Sequence, residues 1–108
     1  MNDEKIAKWQ AVVDTSPDDE LARFTLARAF FDAGRLEAAC EHFEEALRLK
    51  PDWMMAWILL GRGRMDLDDG VAARAALTKA RVLAEAQGHE DPILEINELL
   101  EELMEAEA

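Results

Sequence analysis

A chain of 108 residues with a formal net charge of −12, half apolar and a third charged, is the size of one domain and has the composition of a helical protein in water. The charge is uneven: residues 1–17 sum to −1, residues 18–51 to −3, residues 52–87 to 0 and residues 88–108 to −8. Such a chain repels phosphate backbones, so nucleic acid and anionic membrane are excluded as expected partners. No apolar run is long enough to span a bilayer, and the charged start Met-Asn-Asp-Glu-Lys lacks a signal-peptide core. A single cysteine forms no internal disulfide, which makes the cytoplasm the expected compartment.

Residues 3–14 read as a helix with Ile6, Trp9, Val12 and Val13 on one side. Thr15-Ser16-Pro17-Asp18-Asp19 is a start signal for a helix over 18–32, with Ser16 as N-cap, Pro17 at the first helical position and acids in the first turn. Gly34 suits the left-handed residue that ends it. A helix over 36–49 follows, stopped by Pro51. The next covers 52–67 with Asp52 near its start, and Asp68-Asp69-Gly70 makes the turn after it. Gly70 stands two places later than Gly34 would in an equal copy. A helix over 71–86 ends at Gln87-Gly88. Asp91 as N-cap and Pro92 as first residue then open a last helix, roughly 92–105. Its apolar face is Ile93, Ile96, Leu99, Leu100 and Leu103, opposite Glu95, Glu98, Glu101, Glu102 and Glu105.

A period of 34 residues organises these elements, because Met54 to Gln87 repeats the pattern of Glu20 to Trp53. Leu26 falls on Leu60, Ala27 on Gly61, Ala39 on Ala73, Phe43 on Leu77, Ala46 on Ala80 and Leu49 on Leu83. The same shift takes Pro51 back to Pro17, Phe43 to Trp9 and Ala46 to Val12. The physical need is a close crossing of two antiparallel helices. Small residues let the backbones touch, and large ones fill the space around the crossing. Glycine inside a helix costs about 1 kcal/mol against alanine, so Gly61 is expected to have a packing reason.

Arg23, Leu26, Ala27, Phe30, Ala39, Phe43, Ala46 and Pro51 in the first copy, and Trp57, Leu60, Gly61, Ala73, Leu77 and Ala80 in the second, resemble the tetratricopeptide repeat. Arg23 departs from that pattern where an aromatic is usual, as Arg64 does from Tyr and Glu85 from Pro. The resemblance implies an all-α fold, a right-handed stack of antiparallel helix pairs with about six helices in one domain. The parts are a half repeat at 3–17, repeat one at 20–53, repeat two at 54–87 and a capping helix at 90–105.

Little here points to chemistry. Cys40 and His42 do not share a helix face, and His89 is far away in sequence, so no metal or other cofactor is expected. No Ser, His and acid grouping suggests nucleophilic catalysis, and no enzyme activity is expected. Asp18-Asp19-Glu20 reads as first-turn acids beside a helix dipole. Met54, Met55 and Met65 suit either an adaptable binding surface or core.

One feature recurs: Arg28 with Asp32, four residues on, returns as Arg62 with Asp66. The resemblance implies that the first helix of each repeat lines a concave groove for a peptide. By that register the groove shows Leu21, Phe24, Arg28, Phe31 and Asp32 from repeat one, and Met55, Ile58, Leu59, Arg62, Met65 and Asp66 from repeat two. The Arg–Asp pairs are either ordinary surface ion pairs, worth a few tenths of a kcal/mol each, or part of that site. The Lys and Asn that clamp a C-terminal carboxylate in one subclass are replaced here by Phe24, Arg28 and Leu59. The expected function is a non-catalytic module that binds a peptide or helix of a partner protein. The alternative is a self-assembling unit that forms homo-oligomers by stacking its terminal helices, with Trp9 exposed at one end.

Overall fold

A computed structural model describes residues 2–107, and among them the chain forms six α-helices and no strand. They are α1 (Asn2–Thr15), α2 (Glu20–Asp32), α3 (Leu36–Leu49), α4 (Met54–Asp66), α5 (Gly70–Gln87) and α6 (Glu90–Glu107). The helices group into two compact units, α1–α3 through Pro51 and α4–α6 from Asp52.

In the first unit α2 packs on both α1 and α3. Leu26, Ala27, Ala39, Phe43 and Ala46, small and large positions that the register assigns to the crossing, are fully buried, and Cys40 is buried with them. Phe43 anchors this core, with Phe24 and Phe31 of α2 edge-on to its ring at centroid distances of 5.6 and 6.3 Å. Edge-to-face pairs of this kind add to the area they bury.

In the second unit α5 packs on α4 and α6, and α6 also touches α4. Ile58, Ala73, Leu77, Ala80, Ala84, Ile96 and Leu103 form one buried cluster, with Trp57, Ile93, Leu99 and Leu100 packed against its edge. The apolar face of the last helix therefore covers α5, as its periodicity predicts, while the five glutamates of the other face are exposed. Gly61 has the expected packing reason. A Cβ at that position would lie 2.6 Å from Leu77 Cγ and 2.7 Å from its Cδ2.

Helix ends required correction at three starts. Ser16 and Pro17 do not open α2. The Ser16 amide donates to the Val12 carbonyl and so extends the end of α1, while Asp19 caps α2 by accepting from the Ala22 amide at 3.1 Å. Asp52 lies outside α4, whose N-cap is Trp53 without a side-chain bond. Asp91 is no cap either: α6 begins at Glu90, and the His89 carbonyl already accepts from the Ile93 amide. Pro92 is tolerated inside the helix because first-turn amides have no intrahelical partner to lose.

The turns are closed by a shared device. After α2, Gly34 at φ 76° donates to Phe31 O and Arg35 donates to Phe30 O. After α4, the left-handed residue is Asp68 at φ 59°, which donates to Met65 O while Asp69 donates to Arg64 O. Gly70, expected in the turn, is the first residue of α5. Gly88 at φ 72° closes α5 in the same way, with His89 donating to Ala84 O. These bonds satisfy carbonyls that a helix end leaves open.

Candidate functional site

The first unit presents the better-defined of two candidate surfaces, one on each unit. On α2, Arg28 Nε lies 3.5 Å from Asp32 Oδ1, and both side chains are about half exposed at 52% and 53%. Four-residue spacing places them on one face of the helix, and Leu21 nearby is 63% exposed. Phe24 and Phe31 are partly buried, each with its ring against Phe43. The face thus combines rigid aromatic surface, fixed from behind by the core, with a guanidinium held by a carboxylate.

On α4, Met55 is 40% exposed and Arg62 and Asp66 are exposed four residues apart. Met65 is partly buried and packs against the Ile58–Leu77 cluster, as does Met54. Two expected site residues are core instead. Ile58 is 1% exposed and Leu59 4%, so neither offers surface to a ligand. The two lie about 100° apart around the helix, and Ile58 belongs to the buried cluster of the second unit.

A second polar cluster in the first unit escaped the reading of the sequence. Phe30 and His42 stack with centroids 5.4 Å apart and planes 4° from parallel. Arg35 lies over the Phe30 ring at 4.9 Å. Arg23 donates from Nη2 to the Pro17 carbonyl at 3.0 Å and places Nη1 3.3 Å from His42 Nδ1. An arginine only donates, so His42 Nδ1 accepts and its ring proton sits on Nε2. Burial and then the Arg23 charge push the His42 pKa below its ordinary value, against the pull of Glu41 and Glu45. Arg48 adds a tie to the same turn, 3.8 Å from Asp18, while donating to Glu45 at 2.7 Å and holding that carboxyl below its usual range. The one signal in the sequence was Arg23, a cation where the repeat usually has an aromatic.

Of the Asp18-Asp19-Glu20 run, Asp19 is the α2 N-cap in place of a first-turn residue, and Glu20 lies in the first turn as the dipole reading expects. Trp9 is partly buried, with the Lys8 ammonium 5.5 Å from its ring. Among the described residues no helix is long and apolar enough to cross a membrane.

A family model described as tetratricopeptide repeat matches residues 20–63. A TPR repeat-containing protein of Pseudomonas aeruginosa, PA0015, is 32% identical over 86 residues, 80% of this chain and 82% of that protein. The structure of PcrH in complex with the chaperone binding region of PopD superposes with a TM-score of 0.91 at 19% identity, over 99% of this chain and 81% of the other. The TPR2B domain of yeast Sti1 in complex with pHsp70 gives a TM-score of 0.84 at 16% identity, over 94% and 81%. The last two likenesses concern the fold, and the first, with the buried small and large positions of both copies, fixes the descent: this chain belongs to the tetratricopeptide repeat family.

Proposed function

We propose that this chain is a non-catalytic protein-interaction module that binds a peptide or helix of a partner protein on the first helix of each repeat. The observation that carries the reading is the exposed Arg28–Asp32 pair set among Phe24 and Phe31, with Arg62 and Asp66 at the equivalent places on α4. A guanidinium whose position is fixed by a neighbouring carboxylate still has donors to fork onto an acidic side chain or chain terminus, a geometry that lysine does not copy. Phe24 and Phe31 beside the pair on α2, and Met55 and Met65 beside the pair on α4, supply apolar surface on each helix. The PcrH and Sti1 structures, of the same fold, are complexes with parts of other proteins, which supports a binding role in general. The one thiol, Cys40, is buried, and the cytoplasm is the compartment proposed for the chain.

The test is a panel of acidic and neutral peptides, extended and helical, titrated into the intact chain. Arg28→Ala with Arg62→Ala should leave the fold in place at a cost under about 1 kcal/mol. It should weaken the acidic peptides at least about tenfold, and more so at low salt. Affinity unchanged in the double variant would reduce both pairs to surface ion pairs and leave the apolar residues as the binding determinants.

A further inference from the structure

The 34-residue register sets Glu37, Glu41, Glu44 and Arg48 of α3 against Val71, Ala75, Thr78 and Val82 of α5, and all eight are exposed. One helix turns charge to water at these positions. The other turns an uncharged stripe, apolar but for Thr78, with Val71 84% and Val82 57% exposed. The spacing along the stripe is four, three and four residues, the alternation of a helix seam made to meet another helix. Exposed apolar side chains aligned along one helix of a charged chain suit docking against another surface.

We infer that this face of α5 packs against the same face of a second copy of the chain, antiparallel and about a two-fold axis. Charge complementarity identifies the occupant. Arg74 and Glu85 flank the stripe on one side, eleven residues and so about 16 Å apart along the helix. A two-fold axis centred between Lys79 and Ala80 reverses the second helix and keeps that flank on the same side. Each Arg74 then faces Glu85 of the second copy, twice over, which is the self-complementarity that a two-fold interface requires. The same centring sets each Val82 opposite the gap between Ala75 and Thr78 of the second copy, a large residue over two small ones. Residues 52–87 also sum to zero charge in a chain of −12, so two copies meet there with the least repulsion.

The local partners of the flanking charges leave them available. Arg74 pairs with Glu107, which with Val71, Ala75 and Thr78 lines a shallow dish at the start of the stripe. Its guanidinium has further donors. Glu85 lies 3.9 Å from Arg81, a long and exposed pair. Lys79, on the other flank, meets its own copy near the axis. That like-charge approach, and an interface of one helix per copy, make the association weak and concentration-dependent.

Sedimentation of the intact chain, in a series reaching about 1 mM, should show a reversible monomer–dimer equilibrium. Val82→Glu should abolish the dimer with melting temperature and helical content unchanged, because the side chain is already in water. Arg74→Glu and Glu85→Arg should each weaken association at least about tenfold, and the two together should restore it. Lys79→Ala should tighten it. A chain that stays monomeric throughout overturns the inference, and so does a dimer indifferent to Val82→Glu and to both charge reversals.

Discussion

Between α2 and α3 the left-handed turn residue is Gly34; between α4 and α5 it is Asp68. The hydrogen bonds around them are the same pair in each copy, and only the residue that bears the strained backbone angle differs. Two helices joined by three residues must return their last carbonyls to partners, and that need fixes the conformation whatever the side chain. The second copy has its glycines at other positions, among them Gly61, where Leu77 leaves no room for a Cβ. The copies therefore share an interior and a turn geometry, while their outer surfaces have gone separate ways: charged on α3, uncharged and mostly apolar along Val71, Ala75, Thr78 and Val82 of α5, with an arginine–histidine cluster in the first unit.

Removing α6 should do the most to break this comparison, since the first unit has no counterpart to it. Truncation after His89 takes away Ile96 and Leu103 and uncovers Leu77, Ala80 and Ala84. Aggregation or loss of a cooperative transition for the second unit is expected in calorimetry. A truncated chain that melts like the whole would show that α6 contributes nothing to the core.

Gly61→Leu comes next, with an expected loss of about 3 kcal/mol, at the upper end of overpacking, because the first added carbon already collides with Leu77. Glu44→Leu, on the exposed side of α3, serves as the reference and should change stability by less than about 0.5 kcal/mol. Equal shifts in denaturant midpoint for the two would refute the assigned crossing.

The turn residues should respond in opposite directions. Gly34→Ala meets nothing within 4 Å, so its loss, about 1 kcal/mol, is purely the cost of a left-handed alanine. Asp68→Gly should instead gain a few tenths to about 1 kcal/mol by relieving the same angle. Loss of stability in Asp68→Gly would mean that the aspartate side chain contributes more than its backbone costs.

The smallest effect belongs to His42. Its folded-state pKa lies below the ordinary value of 6.5, so the unfolded chain takes up the proton first. Stability is full above the unfolded value and falls as pH drops through 6.5 toward the folded value, where the Arg23 bond to Nδ1 must also break. His42→Phe, which keeps the stack on Phe30, should show a smaller drop in melting temperature between pH 7.5 and pH 5 than the parent chain. An identical drop would place the acid sensitivity in the carboxylates.

Most of the fold could be read from residue order. The register of Leu26, Ala27, Phe43 and Ala46 against Leu60, Gly61, Leu77 and Ala80 follows from periodicity. So do the α3 boundaries and the apolar face of α6, because a 3.6-residue rhythm of buried positions is imposed by the helix itself. The candidate site was legible only in part. Arg28, Asp32, Arg62 and Asp66 are exposed as expected, since long charged side chains stay in water wherever the helix lies. Tertiary structure decided the rest. Ile58 and Leu59 are apolar groove residues by register and core residues by packing, because periodicity marks a face without saying whether water or another helix covers it. Asp19 rather than Ser16 caps α2 because the end of α1 claims the Ser16 amide. The tie from Arg23 through His42 to Phe30 joins residues that only the folding of α2 onto α3 brings together, and no local spacing encodes a contact between helices.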